Sequence, residues 1–172
     1  MTDLKDTGQR TVFDTGSSKE IVEGRGKYNL LPHRALSDVL EIGIRQIYIE
    51  DRPNLFSYIM GEISSVYRHD VVDLKIQSLA KIAKFFILEK YETEFEAIKA
   101  LAILYEKGAS KYEARDWEKG RPMEVFIDSA LRHLTQHLNG ENDEDHKTAF
   151  LWNIVSCIET LYRFPELAVT IP

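Results

Sequence analysis

The sequence predicts an all-α fold, a compact bundle of about six helices behind an extended N-terminal arm. Three observations predict it. Apolar residues recur at i, i+3, i+4 spacing through most of the chain beyond residue 32, helix start and stop signals punctuate that pattern, and no stretch alternates as a strand would. With 172 residues, 44% of them hydrophobic, the chain can bury the core of one globular domain.

Residues 1–27 are polar, with Gly8, Gly16, Gly24 and Gly26 and few apolar anchors, and read as an extended arm before a single domain over 28–172. A first helix starts near Pro32 and carries Leu36, Val39, Leu40, Ile44 and Ile47 on one face. Pro53 opens a second, with Leu55, Tyr58, Ile59, Ile63 and Val66 inward. Asp70 suits the N-cap of a third, which buries Val72, Ile76, Leu79, Ile82, Ala83 and Phe86. Thr93 and Glu96 form a capping-box pattern for a fourth helix ending at Gly108. After a loop, Pro122 begins a fifth, Gly140 ends it, and Asp143 can cap a sixth running to about Arg163. The run KIAKFFILEKY, with Phe85, Phe86, Ile87 and Leu88, is apolar around much of its circumference, which predicts burial against another helix or a second subunit, and helical proteins of this kind often assemble as dimers or tetramers.

Composition excludes several function classes. A net charge of −6 argues against a surface that coats DNA or RNA, because such binding neutralises many phosphates. The N-terminus lacks the apolar core of a signal peptide and no run of about 18 uncharged apolar residues occurs. The expected setting is the cytoplasm, without a membrane partner. The single Cys157 sits in an apolar helical pattern and reads as a buried small hydrophobe.

Chemistry-bearing residues gather between Gly108 and Asn153. Lys111, Arg115, Lys119 and Arg132 can meet phosphates, and Trp117, in a loop where helix periodicity does not explain an indole, can contact an aromatic ligand. On the fifth helix His133 and His137 share a face with Ser129, while Asp128 and Arg132 share the neighbouring one. The loop at Gly140 is short, so the last two helices pair antiparallel and bring Asp143, Glu144, Asp145 and His146 opposite those histidines. Three acids exceed what capping needs and suggest a site for Mg²⁺ or Mn²⁺, which take oxygen ligands and bind phosphates. Asn153, two turns beyond His146, can read a ligand or tie helices together. The acidic pairs Glu89–Glu92 and Glu113–Asp116 each set two carboxylates three positions apart, which we read as chance in a chain that is 29% charged.

The segments FDTGSSKEIVEGRGKYNLLPHRAL, YEKGASKYEARDWEKG, FIDSALRHL, DEDH and WN, in that order, resemble the dATP/dGTP diphosphohydrolase (N-terminal domain) family found widely in phages. The resemblance covers residues 13–36 and about 98–162, with Asn29 and Asp116 departing from the usual pattern and residues 37–97 standing as a helical insertion. That family is grouped with MazG-like, all-helical pyrophosphohydrolases. The resemblance implies a metal-dependent enzyme that splits a purine dNTP into dNMP and pyrophosphate. It implies metal ligands at Asp143, Glu144 and Asp145, a general base or further ligand at His133 or His146, and phosphate contacts from Arg115, Lys119 and Arg132. Lys111, Glu118 and Asn153 fall on recurring family positions, Tyr112 or Trp117 is expected to stack on the base, and Lys27 to close over the phosphates from the arm. A different class stays open, namely a pocket that sequesters a nucleotide signal of host defence without cleaving it, as does a helical interaction module.

Overall fold

The computed structural model describes residues 8–20, 23–42 and 54–168. Six α-helices stand among them: α1 His33–Glu41, α2 Leu55–Arg68, α3 Val72–Lys90, α4 Glu94–Lys111, α5 Met123–Leu138 and α6 His146–Arg163. The bundle is all-α, as the periodicity predicts. Ile44, Ile47 and Pro53 lie outside the described residues.

α6 is the central rod. Every residue from Asn153 to Leu161 is buried, because α1, α3, α4 and α5 all pack around it. Its polar positions are satisfied inside the core: Ser156 pairs with the Tyr105 hydroxyl at 2.7 Å, Thr148 with the Tyr91 hydroxyl at 3.2 Å, and Glu159 accepts from the backbone N–H of Ala35 at 3.3 Å. The apolar run on α3 finds its partners within the chain, since α3 packs on α1, α2 and α6 and buries Phe85, Phe86 and Ile87 while Leu88 stays exposed.

Several ends differ from the sequence expectation. Asn54 caps α2 by accepting from the Phe56 N–H at 2.9 Å. Val71, which has no capping side chain, stands at the N-cap of α3 instead of Asp70. Thr93 does cap α4, accepting from Glu96 at 3.1 Å, but the helix runs through Gly108 to Lys111, since a lone glycine costs a helix only about 1 kcal/mol. Asp145, two residues later than expected, caps α6.

The arm is not simply extended. β1 Arg10–Val12 pairs antiparallel with β2 Ser18–Glu20 as a small exposed hairpin, turned by Phe13–Ser17. The chain then returns to the bundle. Glu106 on α4 accepts the backbone N–H groups of Gly24 and Gly26 at 3.1 and 3.0 Å, and Lys27 donates its own N–H to the Ala102 carbonyl at 3.1 Å. Gly26 has φ +87°, and a Cβ there would lie 2.8 Å from Ala102 Cβ, so only glycine allows this close approach. A 3-10 turn, Tyr28–Leu30, follows and seats Leu30 and Leu31 in the core. No helix among the described residues is long and apolar enough to cross a membrane.

Candidate functional site: a cationic cleft beside a histidine pair

The loop between α4 and α5 is shaped by one unusual backbone. Arg115 adopts φ 66°, the left-handed region that disfavours side chains, and is the one non-glycine residue with positive φ among those described. The reversal starts a 3-10 turn, Asp116–Lys119, and directs Trp117 into the core against the edge of Tyr105, with ring centroids 5.5 Å apart. Gly120, at φ +82°, closes the turn where a Cβ would meet the Phe164 ring at 2.8 Å.

Arg115 and Glu118 hold this loop in place. The Arg115 guanidinium donates to the Asn29 carbonyl at 2.7 Å and pairs with Glu118. Glu118 also accepts from Arg163 at 3.1 Å, and Arg163 continues to Glu159 at 3.0 Å. Arg115, expected to contact phosphate, thus has a structural task in the loop, and Glu118 is tied to both Arg115 and Arg163. Lys119 pairs with Glu113 at 2.8 Å and Asp116 at 2.9 Å. Hydrogen bonding from Lys119 holds the Asp116 carboxyl below the usual range, and the bonds to Glu113 and then to Asp116 raise the Lys119 ammonium above its own.

A cleft of about 390 Å³ opens between the end of α4, this loop, α5 and α6. Tyr105, Trp117 and Trp152 give it aromatic walls, with Tyr105 and Trp152 centroids 5.8 Å apart. Lys107, Lys111, Arg115, Arg121 and Arg132 line it with positive charge. Tyr112, Ser129, His133 and Asn153 line it too, so most of the sequence-predicted contacts converge. Lys27, Glu118 and Lys119 are not among the lining residues. Tyr105, Lys107, Arg121 and Trp152 also line the cleft, none of them singled out by the sequence as a ligand contact. Glu113 and Asp116, set aside as a chance pair, do line the cleft, whereas Glu89 and Glu92 do not.

Two buried polar groups face different situations. Asn153 spends one N–H on the Ala149 carbonyl at 2.8 Å, which leaves its amide oxygen and second N–H to offer a ligand. Trp117 Nε1 has no hydrogen-bond partner, the one buried side-chain nitrogen or oxygen so placed among the described residues. A buried unsatisfied donor costs about 1–3 kcal/mol.

At the end of the α5–α6 pair, His133 and His146 bring their Nδ1 atoms to 3.1 Å, both rings buried. Glu144 Oε1 lies 3.2 Å from the first Nδ1 and 3.3 Å from the second. His146 Nε2 lies 2.8 Å from Asp143 Oδ1, and Arg132 approaches His133 Nε2 at 3.4 Å. A carboxylate accepts and a guanidinium only donates, so the network assigns the His146 proton to Nε2 and the His133 proton to Nδ1. Burial, then the Arg132 charge, lowers the His133 pKa, and the hydrogen bond from His146 lowers that of Asp143. His137 stands apart, edge-on to Phe86 at 6.2 Å, its pKa lowered by burial and then by Lys90. Arg132 contacts Gln136 at 3.4 Å rather than pairing with Asp128.

The three acids do not converge into an oxygen cage. Asp145 accepts from the Thr148 N–H at 3.0 Å and its hydroxyl at 2.6 Å, Asp143 serves His146, and Glu144 alone touches both imidazoles. A hard Mg²⁺ ion wants oxygen ligands in octahedral array, so this donor set does not fit it.

Fold and cleft together define an all-helical domain with a cationic, aromatic-walled pocket. The model of the family described as dATP/dGTP diphosphohydrolase, N-terminal, matches residues 81–168, just over half of the chain, and the protein belongs to that family. No curated protein and no solved structure matches the chain.

Proposed function

We propose that the cleft binds a purine deoxynucleoside triphosphate and that the protein hydrolyses it to the monophosphate and pyrophosphate. The observation that carries this reading is the concentration of five cations around one aromatic-walled cleft in a chain of net charge −6. Family membership supports the reaction class. Lys107, Lys111, Arg121 and Arg132 neutralise the triphosphate, while Tyr112, exposed at the cleft edge, presents a ring face to the base. Water forms a bond to the α-phosphorus and passes a proton to the His133 or His146 imidazole as the α–β bridging P–O bond breaks and pyrophosphate leaves with the electron pair. The water is oriented at the side where His133 meets Glu144 and His146.

One observation favours a second reading, capture without cleavage. The carboxylates that line the cleft, Glu113 and Asp116, are both paired with Lys119, and the acids at 143–145 lie outside the lining. Cations and aromatic rings suffice for binding, whereas hydrolysis also needs a positioned water.

Incubation with a panel of dNTPs and NTPs, with divalent metal or chelator, tests both by chromatography of products and of nucleotide released on denaturation. Monophosphate plus pyrophosphate establishes hydrolysis. Intact nucleotide recovered from the protein establishes capture, and recovery of neither overturns both and leaves a helical interaction module.

A further inference from the structure

We propose that His133 Nδ1, His146 Nδ1 and Glu144 Oε1 form a binding site for a nitrogen-accepting divalent metal of the zinc class. The proposal does not depend on what the cleft binds.

The three atoms make a nearly equilateral triangle, with sides of 3.1, 3.2 and 3.3 Å. An ion about 2.0–2.1 Å from each donor needs neighbouring donors about 3.4 Å apart if tetrahedral and about 2.9 Å apart if octahedral. The observed sides fall between these limits. Such an ion sits about 0.9 Å above the plane of the triangle, with no displacement of either helix. A plain hydrogen bond between two imidazoles does not account for the third donor, a carboxylate oxygen equidistant from both nitrogens.

The surroundings fit the same purpose. Asp143 accepts the Nε2 proton of His146, which fixes the tautomer that presents a lone pair at Nδ1, the outer-shell arrangement that orients metal-bound histidines. At His133 the proton now on Nδ1 moves to Nε2 when metal binds. Arg132 stands in its way only through two 3.4 Å contacts on an exposed side chain, so it can swing aside. Both imidazoles are buried on facing helices, which holds them in place before the ion arrives.

Donor chemistry selects the metal. Two nitrogens and one oxygen suit Zn²⁺, Co²⁺ or Fe²⁺, and disfavour Mg²⁺ and Ca²⁺. Three protein ligands leave a coordination position open, the pattern of reactive rather than purely structural sites.

The full chain, stripped with chelator, is titrated with Zn²⁺, Co²⁺ and Mg²⁺ and followed by calorimetry, by the visible spectrum of bound Co²⁺ and by thermal unfolding. One equivalent of Zn²⁺ or Co²⁺ should bind and raise Tm, while Mg²⁺ at the same concentration should not. Glu144→Gln, a near-isosteric change at a half-exposed side chain, should weaken Co²⁺ binding at least tenfold. Asp143→Asn should weaken it about 10–100-fold through the His146 tautomer. His69→Ala, at a histidine remote in sequence from the triangle, should leave it unchanged. No stoichiometric Zn²⁺ or Co²⁺ binding, equal response to Mg²⁺, or unchanged affinity in Glu144→Gln and Asp143→Asn would overturn the site.

Discussion

Arg115 donates to the backbone carbonyl of Asn29, 86 positions away in the chain, across 2.7 Å. This bond joins the segment leading out of the arm to the loop that walls the cleft. It is made by a residue whose own backbone is in the left-handed region. Arg115→Ala keeps the unfavourable φ and loses the bond, whereas Arg115→Gly loses the bond and relieves the backbone. The glycine variant should therefore be the more stable by about 1 kcal/mol, read as the difference in denaturation midpoints. Equal midpoints would refute the account of this turn.

The Tyr105–Ser156 pair fastens α4 to α6 within the core. Burial pushes the Tyr105 phenol well above its ordinary pKa, so it stays a neutral donor or acceptor at any workable pH. Tyr105→Phe strands the Ser156 hydroxyl and should cost about 1–2 kcal/mol. Adding Ser156→Ala should recover part of that loss, so that the double variant is less destabilised than the sum of the two single ones.

Trp117→Phe separates folding from binding. The N–H it removes has no partner in the protein, so no hydrogen bond is lost, and relief of that buried donor offsets much of the roughly 1–2 kcal/mol of packing lost with the smaller ring. Nucleotide affinity should fall about tenfold if the ligand satisfies that donor. Calorimetric Kd and Tm, measured on the same samples, check the two halves of the prediction.

Gly26→Ala should peel the arm from α4 without melting the bundle. The new Cβ meets Ala102 at 2.8 Å and the residue must keep φ near +87°. The Lys27 amide, bonded to the Ala102 carbonyl, should exchange with solvent at least tenfold faster, while α6 amides keep their protection.

Cys157 is fully buried in α6 and its thiol pKa is pushed far up by burial. Thiol reagents at neutral pH should label it only through unfolding, so its labelling rate should follow global stability across denaturant. Rapid labelling of the native protein would contradict the packing of α6.

The helices were legible because their burial is periodic, and α6 stands out since apolar residues recur on every face of it. Other features were not. Asp143, Glu144 and Asp145 look equivalent in sequence, and only the path of the chain after Gly140, at φ +75°, decides which one caps α6 and which faces an imidazole. The hairpin in the arm escaped notice because its three-residue strands carry no apolar alternation and are exposed throughout β1. Trp117 lines the cleft, yet its burial depends on a left-handed Arg115 that no local propensity announces. The meeting of His133 with His146 followed from a short loop and helix direction. The exclusion of His137 did not, because it rests on the position of Phe86 from a distant helix.

His133 belongs at once to the cleft wall and to the triangle with Glu144 and His146. Occupancy of one place is therefore linked to occupancy of the other. A ligand that shifts the His133 ring changes the affinity of the triangle for its ion, and the ion changes the affinity of the cleft for its ligand by the same factor, because the coupling free energy is reciprocal. Measured in either direction, that factor reports how far one imidazole makes two sites behave as one.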